Sequence, residues 1–216
     1  MGRLELVDDG GGILSLKNER FEEVEFDDLT LAPSTGISIS LVGVEFLDCS
    51  VSPGTCVVTS GVSLEHVTFR NLDCGDALHI ASEAKLRQVS VIGSCPAALI
   101  MKPESKETFR MDPSCSGEDC LDLSRFDGKV SLVGIWGQSV RKDPSRHVTV
   151  KSAWKEKVDW KSLGIGPLSF WRILLKKLSV SNAVEGVFNL PEQNEKSFEA
   201  TMEQKRALEL LGLDFS

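Results

Sequence analysis

Four side chains in this sequence have the chemistry of acid–base catalysis and share a spacing. Asp76 lies as many residues before Asp119 as His79 lies before Asp122. Two carboxylates held at a fixed separation can act as general acid and general base, and an imidazole near a carboxylate can move a proton. The common spacing predicts that these residues occupy equivalent places in a repeated structural unit.

A repeat of about 20 to 23 residues runs through the first two-thirds of the chain. It contains two apolar columns that alternate along the sequence. The first column consists of Val-x-Phe-type pairs at Val24/Phe26, Val44/Phe46, Val67/Phe69, Val89/Val91 and Val130/Leu132. The second consists of small-apolar-x-apolar segments that begin at Cys56, Ala77, Ala98 and Cys120. A single unit is too small to bury its own apolar residues, so the repeat predicts stacked units around one continuous core.

Both columns have the two-residue period of half-buried strands. In the unit 75–95, Leu78 and Ile80 alternate with His79, and the same pattern returns at 89–91. Two short strands joined by tight turns in each unit resemble the coils of a right-handed parallel β-helix, the fold of pectin-lyase-like proteins. A leucine-rich repeat fits segment 41–51 but not its neighbours. We therefore expect an all-β solenoid of about six coils in residues 1–140, with a C-terminal helical cap in residues 141–216.

The resemblance implies two functions of different kinds. Pectate lyases, polygalacturonases and related carbohydrate-active enzymes share this fold, and so do many non-enzymatic scaffolds. Coils stack about 4.8 Å apart, so a separation of two coils would be roughly 10 Å. The carbohydrate-active or glycan-binding alternative therefore uses Asp76 with Asp119, and His79 with Asp122 on an outward face that also contains Ile100.

Other features of the same residues favour a non-catalytic scaffold. Aspartate is common in tight turns because its side chain bonds to the nearby backbone, which explains Asp76 and Asp119. The sequence hallmarks of polygalacturonases are absent. Our leading interpretation is a scaffold that binds another protein or a second copy of itself. The predicted binding surface is an outward ladder of Val58, His79, Ile100 and Asp122.

The last third of the chain differs in composition from the repeat. Residues 1–140 have a net charge of −11, residues 141–178 of +7 and residues 179–216 of −4. The basic block predicts a helix with an apolar stripe at Leu168, Trp171, Leu175 and Leu178, and residues 195–211 predict a final helix. An open solenoid leaves strand edges that need a cover, so the expected role of both helices is a cap.

The same basic block is also a candidate partner-binding surface, because tryptophan and arginine are favoured in interface cores. The candidate binding residues are Trp154, Trp160, Trp171 and Arg172. Contact with a membrane surface is a weaker alternative, and the acidic chain gives no strong nucleic-acid signal. The other end of the solenoid, around Leu4 to Leu16, is expected to be an uncovered edge. We expect either self-association through that end or a longer natural protein of which this chain is a piece.

The remaining expectations concern cysteines, ligands and location. The six cysteines are predicted to be mainly buried free thiols, with disulfides such as Cys49–Cys74 or Cys115–Cys120 as the alternative. No cofactor or metal site is expected. The irregular turn at 112–119 is either a functional loop or a neutral insertion. Neither a signal peptide nor a membrane-spanning run is recognisable, so the expected location is the cytoplasm.

Overall fold

The computed structural model describes residues 2–52, 54–105, 109–111 and 120–216. The protein is an all-β parallel solenoid of about five turns, followed by three helices in the C-terminal part. This confirms the predicted fold class, although the number of turns is closer to five than to six. No helix among the described residues has both the length and the apolar character needed to cross a lipid bilayer.

Three sheets run along the solenoid, and each turn contributes one strand to most of them. The first sheet contains β1 Val7–Gly10, β2 Ile13–Lys17, β6 Ser38–Val42, β10 Val62–Glu65 and β13 Lys85–Arg87. The second contains β3 Arg20–Glu22, β7 Glu45–Leu47, β11 Thr68–Arg70, β14 Val89–Ile92, β16 Leu121–Asp122 and β18 Val140–Arg141. The third contains β5 Leu29–Leu31, β9 Cys56–Val58, β12 Ala77–Ala81, β15 Ala98–Lys102, β17 Lys129–Val133, β20 Glu185–Asn189 and β19 His147–Lys151. A short pair, β4 Glu25–Phe26 and β8 Ser50–Val51, fills the corner between the second and third sheets.

The first sheet is a third strand column, which the two-column repeat in the sequence did not predict. Leu16, Leu41, Leu64 and Leu86 pair with one another in register through four successive turns. Only one or two residues separate each of these strands from the second-sheet strand that follows it, so the two strands read as a single apolar segment. Those corner residues are Asn18, Gly43, His66 and Gln88, and all four have positive φ.

The second set of corners is also built from left-handed residues: Glu23, Asp48, Asn71 and Gly93. Asp48 accepts hydrogen bonds from Arg70 at 2.7 Å and from Asn71 at 2.9 Å, and these contacts lower its pKa. A Cβ added at Gly93 would lie 1.9 Å from Asn71 Oδ1. The corner therefore requires glycine at position 93, because any larger residue would displace the corner of the preceding turn.

Stacked aromatic rings form the centre of the solenoid core. Phe46 lies between Phe21 and Phe69, with ring centroids 5.4 Å and 5.3 Å away and both pairs nearly parallel. Phe26 meets Phe46 edge-on at 5.9 Å. The one-turn repeat thus places identical side chains directly above one another, where offset-stacked rings add to the burial energy.

The assignment of the last complete turn was wrong. The sequence repeat predicted that Cys120–Leu123 would stack next to the strand that begins at Ala98. It also predicted that Val130/Leu132 would stack next to Val89/Val91. In the structure, Leu121 pairs with Val89 on the second sheet, and Val130 pairs with Leu99 on the third. Both segments are apolar-x-apolar, so their pattern could not distinguish the two columns once the irregular region 103–119 had broken the period.

Antiparallel strands and helices close the C-terminal end. The last parallel strand of the third sheet, β17, pairs antiparallel with β20, and β20 pairs antiparallel with β19. The helices are α1 Trp154–Lys157, α2 Phe170–Val180 and α3 Phe198–Leu210. Together with β19 and β20 they surround a second apolar core, separate from that of the solenoid. Leu168 lies outside α2 and is 87% exposed, so its predicted place in the buried stripe was wrong.

The opposite end is partly covered, contrary to the expectation of an open edge. Strand β1 folds back antiparallel on β2, and Gly2 forms a bridge with Phe26. Leu4, Leu6 and Leu14 pack against the solenoid core. Strands β3 and β5 stay at the edges of their sheets, with no further strand beside them among the described residues.

Replacing Phe46 with alanine should lower the free energy of unfolding by about 3–5 kcal/mol, because the change removes the middle ring of a fully buried stack. Urea unfolding followed by circular dichroism measures the loss. Leu168→Ala is the matched control, and this exposed position should change stability by less than about 0.5 kcal/mol. A loss below about 1 kcal/mol for Phe46→Ala would mean that the stack is not a main source of stability.

Candidate functional site

The outward face of the third sheet contains a continuous ladder of side chains. Its residues are in register across five turns: Thr30, Val57, His79, Ile100 and Ser131. Val57, His79 and Ile100 are half-buried at the middle of the sheet. The backbone hydrogen bonds of the sheet hold these three side chains in a row, about 4.8 Å from one turn to the next.

Two members of the predicted ladder lie elsewhere. Val58 pairs with Ile80, points into the core and is 1% exposed, so its neighbour Val57 occupies the outward position. The place below Ile100 belongs to Ser131 and not to Asp122. Three successive apolar residues, Cys56 to Val58, allow two registers, and the sequence alone gave the wrong one. The spacing contained a weak signal in favour of Val57. Equivalent residues of adjacent turns are not always separated by the shortest repeat of 21 residues, because Ile39 and Val62 in the first sheet are 23 residues apart. Val57 lies 22 residues before His79.

The predicted acidic residues do not assemble with His79. Asp122 lies on the second sheet beside Arg141, 3.8 Å away, and its Oδ1 accepts hydrogen bonds from the backbone N–H and hydroxyl of Ser124. Asp76 is an exposed turn residue that precedes β12. Asp119 and the rest of the irregular turn 112–119 lie outside the described residues. The His79–Asp122 arrangement on one outward face was therefore wrong.

The outward faces differ in charge. The second sheet has Arg20 with Glu45, and the first has Glu65 with Arg87, each pair forming ion pairs across adjacent turns. The third-sheet face, by contrast, has no lysine, arginine or carboxylate among the outward residues of β9 and β12. Two lysines lie at its border, Lys102 at the end of β15 and Lys129 at the start of β17, beside Ala98. Small residues flank its ladder, namely Thr59, Ala77, Ala81 and Ala98. We call Val57, His79, Ile100 and these four small residues the uncharged face.

The tryptophans predicted to bind a partner are core residues of the cap. Trp154, Trp160 and Trp171 are all buried, and Phe215 packs edge-on against Trp154 and Trp171. Arg172 lies over the ring of Trp160 at 5.4 Å. These contacts correct their placement on a binding surface: the aromatic rings close the end of the solenoid, and only Arg172 retains a partly exposed side chain.

A buried histidine beneath this cap has an unusual environment. His147 is 1% exposed, and neither ring nitrogen has a hydrogen-bond partner among the described residues. Burial lowers its pKa from 6.5 to about 4, and the nearby positive charges of Arg146 and Lys142 add to the effect, while Asp143 opposes it. The imidazole is thus neutral near pH 7, and protonating it works against the fold.

The uncharged face is not a ligand-sized cleft. Five well-formed cavities lie among the described residues, and none of these five is lined by Val57, His79 or Ile100. The described residues also contain no cluster of three or more histidine, cysteine or carboxylate groups arranged for a metal ion. This geometry suits contact with another extended surface better than it suits a small substrate.

Comparison with known proteins gives no family for this chain: no family model, no curated protein and no solved structure matches it. The sheet order defines the class of the fold: the protein is a parallel β-solenoid with a helical cap. The fold resembles that of parallel β-helices, and nothing in the comparisons supports membership of the pectin-lyase-like proteins in particular.

The His147 environment predicts a loss of stability in mild acid. Because the pKa is lower in the folded state than in the unfolded state, the unfolded chain binds the proton first. The contribution is fully present above about pH 6.5 and should be lost as the pH falls toward about 4, by roughly 3 kcal/mol at most. Urea unfolding at a series of pH values between 7.5 and 5 measures this slope.

His147→Gln should flatten that slope relative to its own stability at pH 7.5, whatever its absolute stability. His66→Gln is the matched control, because His66 is an exposed corner residue and Gln88 already occupies the equivalent corner of the next turn. Equal slopes for the wild type and His147→Gln would contradict the assignment.

Proposed function

We propose that the protein is a non-catalytic β-solenoid scaffold that binds another protein, or a second copy of this chain, through the uncharged face. The observation that carries the proposal is the contrast between faces of the same solenoid. Two faces bear ion pairs from turn to turn, and the third presents half-buried Val57, His79 and Ile100 among small residues. Depletion of charge is the compositional mark of interface cores.

Flatness and rigidity support the same function. A face built on regular strands holds its side chains in fixed positions, so little conformational entropy is lost when a partner binds. The partly exposed small residues beside the ladder, Thr59 and Ala98, allow a partner's side chains to approach the backbone closely. A strand-rich or helical surface of another protein can lie against a face of this kind.

The positions of His79 and Asp122 do not support the alternative of a carbohydrate-active enzyme or glycan-binding module. It required His79 and Asp122 on one face, and they lie on different sheets. Asp122 is engaged with Ser124 and Arg141 in a local turn. Nucleic acid is not the proposed partner either, since the face carries no cluster of basic residues and the chain has a net charge of −8.

We further propose that the protein works in the cytoplasm. The support is the state of the cysteines: Cys49, Cys56, Cys74 and Cys95 are free thiols, and the first three are buried. Cys56 lies against Cys74, whose thiol, together with burial, raises the pKa of Cys56. Buried free thiols without disulfides are typical of proteins in reducing compartments.

Site-specific crosslinking tests the binding face. A photo-crosslinking phenylalanine analogue in place of Ile100, introduced in cells that make the protein, should give discrete adducts with one protein partner or with a second copy. The same analogue at Ser90 is the matched control, because Ser90 is a half-buried outward residue on the charged second sheet. Equal adduct patterns at both positions would overturn the proposal.

With the crosslinked partner purified, Ile100→Lys should weaken binding at least about tenfold, because a lysine would be desolvated in the centre of the interface. Ser90→Lys should leave binding nearly unchanged, since Ser90 pairs with Asp122 and the new charge is compensated there. A glycan array completes the test: glycan binding that Asp122→Asn abolishes would favour the carbohydrate reading over the scaffold.

A further inference from the structure

Helix α2 has a second stripe that faces away from the cap core. Its buried stripe is Trp171, Leu174, Leu175 and Leu178. The outer stripe is Ile173, Lys176, Lys177 and Val180, which has the same helical spacing and lies on the opposite side. Ile173 and Val180 are 43% and 51% exposed, and the fully exposed Leu168 precedes the helix. We call this outer stripe, with Leu168, the α2 face.

Positive charge surrounds the α2 face and is only partly neutralised within the chain, where Lys151 pairs with Asp214 at 3.5 Å. Residues 151–180 contain seven lysines and arginines against two carboxylates. Lys155, Lys157, Lys161 and Lys176 are exposed, and none of them forms an ion pair with a described residue. Apolar side chains set among uncompensated lysines are the composition of a surface that accepts an acidic, partly apolar partner.

A surface of the opposite character lies on the first turn of the solenoid. Residues 2–28 contain nine carboxylates against three lysines and arginines. Only two of the nine, Asp9 and Glu22, form ion pairs among the described residues of this segment. Glu5, Asp8, Glu19, Glu23, Glu25 and Asp28 are exposed, and Val7 and Ile13 are exposed apolar residues 63% and 41% accessible. We call this surface the first-turn face.

The first-turn face also has unused backbone hydrogen-bonding groups. Strands β1, β3 and β5 each form the edge of their sheet, with no strand beside them among the described residues. Exposed edges of this kind recruit other chains unless charge or a cover prevents it. The carboxylates here repel another acidic edge, so two first-turn faces would not pair with each other, while a basic surface is attracted.

From these two faces we propose that the protein assembles head to tail, with the α2 face of one copy seated on the first-turn face of the next. A net charge of about +5 on residues 151–180 faces a net charge of about −6 on residues 2–28, and both surfaces contain exposed aliphatic side chains. The occupant of the α2 face is thus a second copy of the chain. The proposal uses surfaces other than the uncharged face and does not rest on the function proposed above.

The symmetry of this contact has a direct consequence. The two faces are different, so the interface is heterologous, and each added copy leaves one free face of each kind. Assembly therefore continues to longer chains or closes into a ring, and it does not stop at a two-fold dimer. The covered C-terminal end, where β17 pairs with β20, prevents simple strand-on-strand stacking of two solenoids.

Sedimentation velocity on the full chain tests the proposal. The wild type should form species larger than a monomer between low and high micromolar concentration at about 0.05 M NaCl, and the association should weaken at least about tenfold at about 0.5 M NaCl, because the complementary charges are screened. Lys176→Glu with Lys177→Glu should weaken association at least about tenfold, because the net charge of residues 151–180 falls from about +5 to about +1. Glu19→Lys with Glu25→Lys should weaken it similarly, because the net charge of residues 2–28 falls from about −6 to about −2.

Mixing the two variants is the decisive step. Each variant alone has one weakened face at every contact, but in the mixture the unchanged α2 face of one variant can bind the unchanged first-turn face of the other, so the mixture should recover a dimer. Lys196→Glu with Arg206→Glu is the matched control, since both residues are exposed and the change in charge is the same. This control should behave as the wild type does.

Three results would overturn the proposal. A wild-type monomer at every concentration in low salt is the first, and a mixture that stays monomeric is the second. The third is binding of the wild type to vesicles containing anionic lipid that Lys176→Glu with Lys177→Glu abolishes while self-association persists, which would assign the α2 face to a membrane surface. Crosslinking at Ile100 is unaffected by any of these outcomes, so the two proposals fail separately.

Discussion

The lateral pairing of each turn with the next is the constraint on which the rest of this structure depends. Once Leu16, Leu41, Leu64 and Leu86 are in register, every other position of the turn is fixed as inward or outward. The corners transmit that register from sheet to sheet, because left-handed corner residues such as Asn18, Gly43 and Asp48 each donate their N–H to a carbonyl of the adjacent turn. The phenylalanine stack and the composition of all three outer faces are consequences of this pairing.

Sequence reasoning found the architecture because alternation and periodicity are properties of the backbone arrangement itself. It failed where two registers were equally apolar. Cys56 to Val58 could place either valine outward, and Leu121 and Val130 could each belong to either column. The tryptophans were misjudged for a different reason: their type favours interfaces and cores equally, and only the packing of Phe215 against Trp154 and Trp171 distinguishes the two. Side-chain chemistry predicts which contacts a residue can make, but the strand register decides on which sheet and which face of the solenoid the residue lies.

The cap covers the strand edge at the C-terminal end of the solenoid, but it buries a polar side chain in doing so. The antiparallel pairing of β17 with β20 ends the parallel series, and a second core covers the end of the first. This arrangement buries His147 without a hydrogen-bond partner among the described residues, which destabilises the cap when the imidazole is protonated. The sensitivity is confined to the C-terminal part, so mild acid acts on the cap before it acts on the corners and the aromatic stack.

The two proposed interactions reinforce each other through geometry. The α2 face and the first-turn face belong to opposite parts of the chain, and the uncharged face lies on the turns between them. Head-to-tail assembly therefore leaves the uncharged face free and repeats it once per copy along the assembly. A partner with several binding sites would then meet several such faces at fixed spacing, and its affinity would rise through effective concentration without any new contact.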